Sequence, residues 1–126
     1  MQGGGCCHGL ARCFRAGPGP LGELRDAGCE VAIATDCNPG SSNVADLPLC
    51  GTMATTLCGL TFEEALWGMT RGGAKALGLT DRGCLRDGER ADFVVLDAPD
   101  WRFVFYQPAN TPHRPGGRRG DRLFWR

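Results

Sequence analysis

The run Cys29-Glu-Val-Ala-Ile-Ala-Thr35 constrains what this chain can fold into more than any other stretch. It is short, mostly apolar and β-branched at every second position from Val31 to Thr35. Gly28 precedes it, and the turn-forming series Asp36-Cys-Asn-Pro-Gly-Ser-Ser42 follows it. A continuous apolar run of that length with a turn-rich exit suits a buried strand of a parallel sheet. Leu21 to Ala27 read as the end of a helix, with Gly28 as the residue that closes it. Helix, glycine and buried strand together make an α/β unit.

The residues after the loop carry further signals. Ala45 to Cys58 is apolar with small residues and reads as a helix. Thr61-Phe-Glu-Glu64 has the form of a capping box, in which the Thr hydroxyl and the Glu carboxylate each accept a backbone N–H. Ala65, Leu66 and Met69 then fall on one face at helical spacing. Gly72-Gly73 is expected to break that helix, and Ala74 to Leu77 to resume it until Gly78. Gly83-Cys-Leu85 reads as a short strand, Arg86 to Glu89 as a turn, and Ala91 to Asp97 as a strong strand stopped at Ala98-Pro-Asp100. Residues 1–20 and 107–126 hold no helical or strand period and read as loop by composition.

Charge and cysteine usage narrow the class. Lys and Arg number 14 against 14 Asp and Glu, so no overall charge points to nucleic acid or membrane. No apolar run approaches the roughly 18 residues of a membrane span. Gly and Cys stand at the start where a secretory signal would have its charged and apolar regions. A cytoplasmic protein is expected. Eight cysteines could suggest a disulfide framework, but no C-x-x-C pair occurs and several lie in apolar runs. Reduced thiols are the expectation. Arg114, Arg118, Arg119, Arg122 and Arg126 make the tail basic. A solvated tail accounts for them, since only Phe124 and Trp125 could serve as a stacking platform.

Ala34-Thr-Asp-Cys-Asn-Pro-Gly-Ser-Ser42 is where chemistry is expected. A carboxylate stands where a buried strand gives way to a loop. In a β/α barrel, such a position faces the active site. A carboxylate there can bind a metal or take a proton from water. The loop beyond it offers an amide, backbone N–H groups and two hydroxyls as donors to an anion or carbonyl. The same residues also make ordinary turns and caps.

This run resembles the eighth barrel strand of imidazolonepropionases, whose pattern reads A-x-A-T-D-x-N-P-G-S-S. The resemblance continues through Leu47-Pro-Leu49, Leu60-Thr-x-Glu-Glu-Ala-Leu66, Thr70 and Ala74-x-Ala-Leu-Gly-Leu79. Gly83-x-Leu-x-x-Gly-x-x-Ala-Asp-Phe-Val-Val-x-Asp97 is similar to the return of many amidohydrolases to a small β-sandwich. Asp100-Trp101 and Phe105-Tyr106 are similar to the segment that follows. The likeness covers roughly residues 21–106.

The resemblance implies an α/β fold: the last strand and helices of a (β/α)8 barrel over 21–82, and sandwich strands over 83–106. It implies a metal-dependent cyclic amide hydrolase that opens 4-imidazolone-5-propanoate to N-formimidoyl-L-glutamate. Asp36 would be both the metal-associated and the proton-shuttling carboxylate. Asn38 and Gly40 would hold the open-chain product, and Ser41 would touch the imidazolone ring. The metal of the family would be Zn2+ or Fe3+, and full-length relatives would be homodimers.

The departures bear on activity. The family takes metal ligands from a His-x-His pair and a further His, whereas this chain has only His8 and His113. Glu63 and Glu64 are accounted for by capping. The chain is therefore expected to hold no metal alone and to be inactive alone. The unlike ends are what a truncated or frame-shifted reading of a longer gene would give. Isolated from its neighbours, the strand at 29–35 is expected to expose its edges and faces, and the chain to be marginally stable. Two other readings stand beside this one. The first is a deaminase-type amidohydrolase, against which the Asn-Pro-Gly-Ser-Ser loop speaks. The second is a non-enzymatic fragment that binds through its basic tail.

Overall fold

The structure, a computed structural model, describes residues 6–9, 21–40, 42–107 and 113–114. Most of the expected unpatterned N-terminal segment, most of the basic tail, and Ser41 lie outside the described residues.

Helix α1 (Leu21–Asp26) closes as expected. The Gly28 N–H donates to the Arg25 carbonyl at 2.8 Å and the Cys29 N–H to the Leu24 carbonyl at 2.9 Å, with Gly28 at φ 77°. Strand β2 (Val31–Ala34) follows within the expected limits. It pairs in parallel with β1 (Cys6–Gly9), Cys6 opposite Val31 and Gly9 opposite Ala34. Composition had assigned residues 6–9 to loop. A neighbouring strand edge offers N–H and C=O groups that must be satisfied, and backbone pairing answers that need whatever the side-chain period.

The expectation that β2 would leave its faces bare is also corrected. Ala32 and Ile33 point to opposite sides of the strand, yet both are buried, Ile33 to 7 % exposure. Three helices pack against β2: α2 (Leu47–Cys58), α3 (Phe62–Met69) and α4 (Arg71–Ala76). Ile33 joins one core with Leu21, Met53, Ala54, Leu60 and Ala65. Burying a side chain of that size contributes about 1.5–3 kcal/mol.

Both long helices start where the sequence provides caps. Asp46 accepts the Leu49 N–H at 3.0 Å at the head of α2, with Pro48 in the first turn. At the head of α3 the Thr61 hydroxyl accepts the Glu64 N–H at 3.1 Å, and the Glu64 carboxylate accepts the Thr61 N–H at 2.8 Å. The capping box is complete.

The break between α3 and α4 falls at Thr70, not at Gly72-Gly73. The Thr70 hydroxyl donates to the Leu66 carbonyl at 2.7 Å, competing with the backbone ladder. Gly72 lies inside α4, and Gly68 inside α3, for another reason. A Cβ on Gly72 would collide with the Val31 carbonyl oxygen, and one on Gly68 would press on the Ile33 side chain. These glycines let the α3–α4 pair lie directly on β2.

From residue 83 onward the expected strands are mostly missing. Gly83 takes φ 100°, and a Cβ there would meet the Arg71 backbone at 2.9 Å, so 83–85 turns and does not extend. The turn at 86–89 forms, with the Glu89 N–H on the Arg86 carbonyl at 3.1 Å. Of the predicted strand at 91–97, only β3 (Val95–Leu96) forms. It pairs antiparallel with β4 (His113–Arg114), Val95 opposite Arg114. Val94 beside it is 64 % exposed and Leu85 is 79 % exposed. Alternating apolar residues make a strand only where an edge and a covering layer meet them. Between 97 and 107 the chain returns to the core through α5 (Phe103–Tyr106). Phe105 stacks on Phe62 with ring centroids 5.5 Å apart, and its carbonyl accepts the Thr52 hydroxyl at 3.2 Å.

Candidate active site

The end of β2 is tied down by its own loop. The Cys37 N–H donates to the Thr35 hydroxyl at 3.3 Å. The Asn38 amide donates to the Asp36 carbonyl at 2.6 Å, and its oxygen accepts the Gly40 N–H at 3.0 Å. The Asn38 N–H donates to the Ser42 carbonyl at 2.8 Å, and the Ser42 N–H returns to the Asn38 carbonyl at 3.3 Å. The Ser42 hydroxyl donates to the Thr35 carbonyl at 3.0 Å. A six-residue excursion is thereby closed into a small loop on the strand end.

Asp36 sits at the apex of this arrangement with φ 51°. Among the described residues that are not glycine, no other has a positive φ. The left-handed region costs most L-residues about 1 kcal/mol or more, and Asp tolerates it better than most. A strained conformation held by several hydrogen bonds at the mouth of a strand is a functional signal. The Asp36 side chain is exposed. Asn38 is half-buried beside it and Gly40 is exposed, so the loop brings three of the four expected site residues together. Ser41 cannot be added to them, because it lies outside the described residues.

Sequence reasoning placed Ser42 among the outward donors. Instead it is buried, 5 % exposed, with its hydroxyl turned back onto the strand. The role of Thr35, whose hydroxyl and carbonyl both serve the loop, was missed altogether.

The donor set does not suit a resident metal. Among the described residues, no three His, Cys, Asp or Glu side chains come together. A catalytic zinc takes three protein ligands, and the exposed Asp36 carboxylate with the neighbouring exposed Cys37 thiol falls short of that. The described residues do not fit the metal centre that the resemblance implies.

A concavity of about 240 Å³ lies away from this loop. Leu66, Trp67, Thr70, Gly83, Cys84 and Trp101 are among its walls. Arg71 lies 5.1 Å over the Trp67 ring, and Arg102 lies 4.8 Å over Trp101. The Cys84 thiol donates to the Glu89 carboxylate at 3.0 Å. That hydrogen bond, with burial and the Glu89 charge, pushes the thiol above its ordinary range. A thiol so held is a poor nucleophile at neutral pH.

Comparison with known proteins bears on the strand-end loop. The profile of the amidohydrolase family matches residues 9–113, and the chain belongs to that family. The match runs past both limits of the 21–106 likeness read from motifs. The chain is 47 % identical over 104 residues to the imidazolonepropionase of Deinococcus deserti, covering 82 % of this chain and 26 % of that protein. It is 49 % identical over 101 residues to the imidazolonepropionase of Streptomyces griseus, covering 80 % and 26 %. It is 52 % identical over 87 residues to that of Deinococcus radiodurans, covering 69 % and 22 %. The chain thus spans about a quarter of the length of the curated relatives it matches.

Proposed function

We propose that this chain is the strand-end and loop portion of an imidazolonepropionase. It would supply the proton-handling carboxylate and part of the substrate cradle, and be inactive alone. In the complete enzyme the last barrel strand and helices would run over 21–82 and the sandwich strands over 83–106. The observation that carries this reading is Asp36, held in a left-handed conformation at the exit of a buried parallel strand in front of the Asn-Pro-Gly-Ser-Ser loop.

The reaction would be hydrolysis of the ring C–N bond of 4-imidazolone-5-propanoate to N-formimidoyl-L-glutamate. Asp36 would take a proton from the attacking water and return it toward the ring nitrogen that leaves. Asn38 and Gly40 would hold the open-chain product, and Ser41 the ring. The Zn2+ or Fe3+ of the family, and the homodimer, would belong to the complete enzyme. No helix among the described residues is long and apolar enough to cross a membrane, and a cytoplasmic setting fits the reading.

Complementation tests it. The chain is mixed or co-expressed with a polypeptide carrying the remaining three-quarters of a relative, and ring opening is assayed. Turnover is expected only with both parts present. It is expected to fall about 100-fold or more with Asp36→Asn, the lower end of the range for loss of a positioned acid–base group. Full turnover with Asp36→Asn would overturn the role given to that residue.

A further inference from the structure

We propose that Ser42 is a positioning residue for Asp36, and that the loop's second serine works from beneath the site without touching substrate. The inference rests on the reading of Asp36 as the catalytic carboxylate. It goes beyond that reading by assigning the residue that fixes its direction.

Two peptide groups flank Asp36, and their orientations set where its side chain points. The carbonyl of Thr35, on one side, accepts the Ser42 hydroxyl at 3.0 Å. The carbonyl of Asp36 itself accepts the Asn38 amide at 2.6 Å. Ser42 and Asn38 are joined in turn by paired backbone hydrogen bonds of 2.8 and 3.3 Å. The clamp is therefore closed: strand end, Asp36, Asn38, Ser42 and back to the strand. Ser42 is the buried member, 5 % exposed, whereas Asp36 is exposed. A buried hydroxyl with a carbonyl partner is costly to remove, because the carbonyl is then left unsatisfied. The left-handed φ of 51° at Asp36 persists only while its surroundings over-determine it. With the Ser42 hydroxyl gone, the Thr35 carbonyl loses the side-chain donor that anchors it, and Asp36 relaxes toward an ordinary extended conformation.

The test is NMR on the full chain and on Ser42→Ala and Ser42→Thr. The wild-type chain is expected to show left-handed coupling constants and Cα shifts at Asp36. It is also expected to show a slowly exchanging Ser42 hydroxyl proton. Ser42→Ala is expected to lose the Asp36 signature while the Val31–Ala34 amides keep their protection. Ser42→Thr, which retains the hydroxyl, is expected to restore the signature. A signature unchanged in Ser42→Ala would overturn the proposal, as would rapid exchange of the wild-type hydroxyl. If Ser42→Ala does not fold, the wild-type hydroxyl decides alone. None of these signals depends on turnover, so complementation can fail while the clamp stands, and the reverse.

Discussion

The strand at 31–34 and the apolar stretch at 91–97 carry similar residues and meet different fates. In the first, Ile33 is 7 % exposed beneath three helices and β1 fills one edge of its strand. In the second, two residues pair and Val94 is left 64 % exposed. Both stretches are apolar and β-branched, so propensity does not separate them. The difference is what covers them. Gly68 and Gly72 let a helix pair settle on β2, whereas among the described residues no comparable layer covers 91–94. Strand formation here is a tertiary outcome.

That contrast can be broken by substitution. Ile33→Ala is expected to cost about 2–5 kcal/mol, the range for truncating a buried aliphatic side chain. In a chain of this size such a loss is a large share of total stability, and a denaturant titration reads it directly. Gly72→Ala should come next, at about 1–3 kcal/mol from crowding against the Val31 carbonyl. Helix propensity alone would make the same change stabilising by about 1 kcal/mol, so the sign of the shift tests the close approach to β2. Removing the cap with Thr61→Ala should cost about 1 kcal/mol. Val94→Ala should change stability by less than about 0.5 kcal/mol. Equal losses at Ile33 and Val94 would erase the distinction between the two regions.

A smaller effect sharpens the picture at the turn between them. The Glu89 carboxylate keeps the Cys84 thiol protonated and raises its pKa above the unfolded value. The stability this contact contributes is present at neutral pH, below the unfolded pKa of the thiol. It is lost as pH rises through the folded pKa. Glu89→Gln is expected to move alkylation of Cys84 to lower pH, followed by mass spectrometry of the peptide that contains it. No movement would mean that the hydrogen bond does not govern the thiol.

Much of the fold was legible because its signals are local. Gly28 closes α1, Asp46 and Thr61–Glu64 start α2 and α3, and Val31 to Ala34 form a strand inside the expected run. What could not be read depended on partners distant in sequence. Cys6–Gly9 has no strand period of its own and is organised by the edge of β2. Gly72 looks like a helix breaker until the Val31 carbonyl is set against it. Gly83 to Leu85 looks like a strand until the approach of Arg71 is seen. The site shows the same division. Asp36, Asn38 and Gly40 stood out as polar residues at a strand exit. The inward turn of Ser42 became visible only with the Thr35 carbonyl beside it.

Elemental analysis of the purified chain, after equilibration with zinc or iron and removal of excess, tests the central claim most directly. The account predicts no stoichiometric metal, because the described part of the site brings no three metal-binding side chains together, the exposed Asp36 and Cys37 included. One metal ion per chain, lost in Asp36→Ala, would contradict it and show that this chain assembles the ligand set by itself.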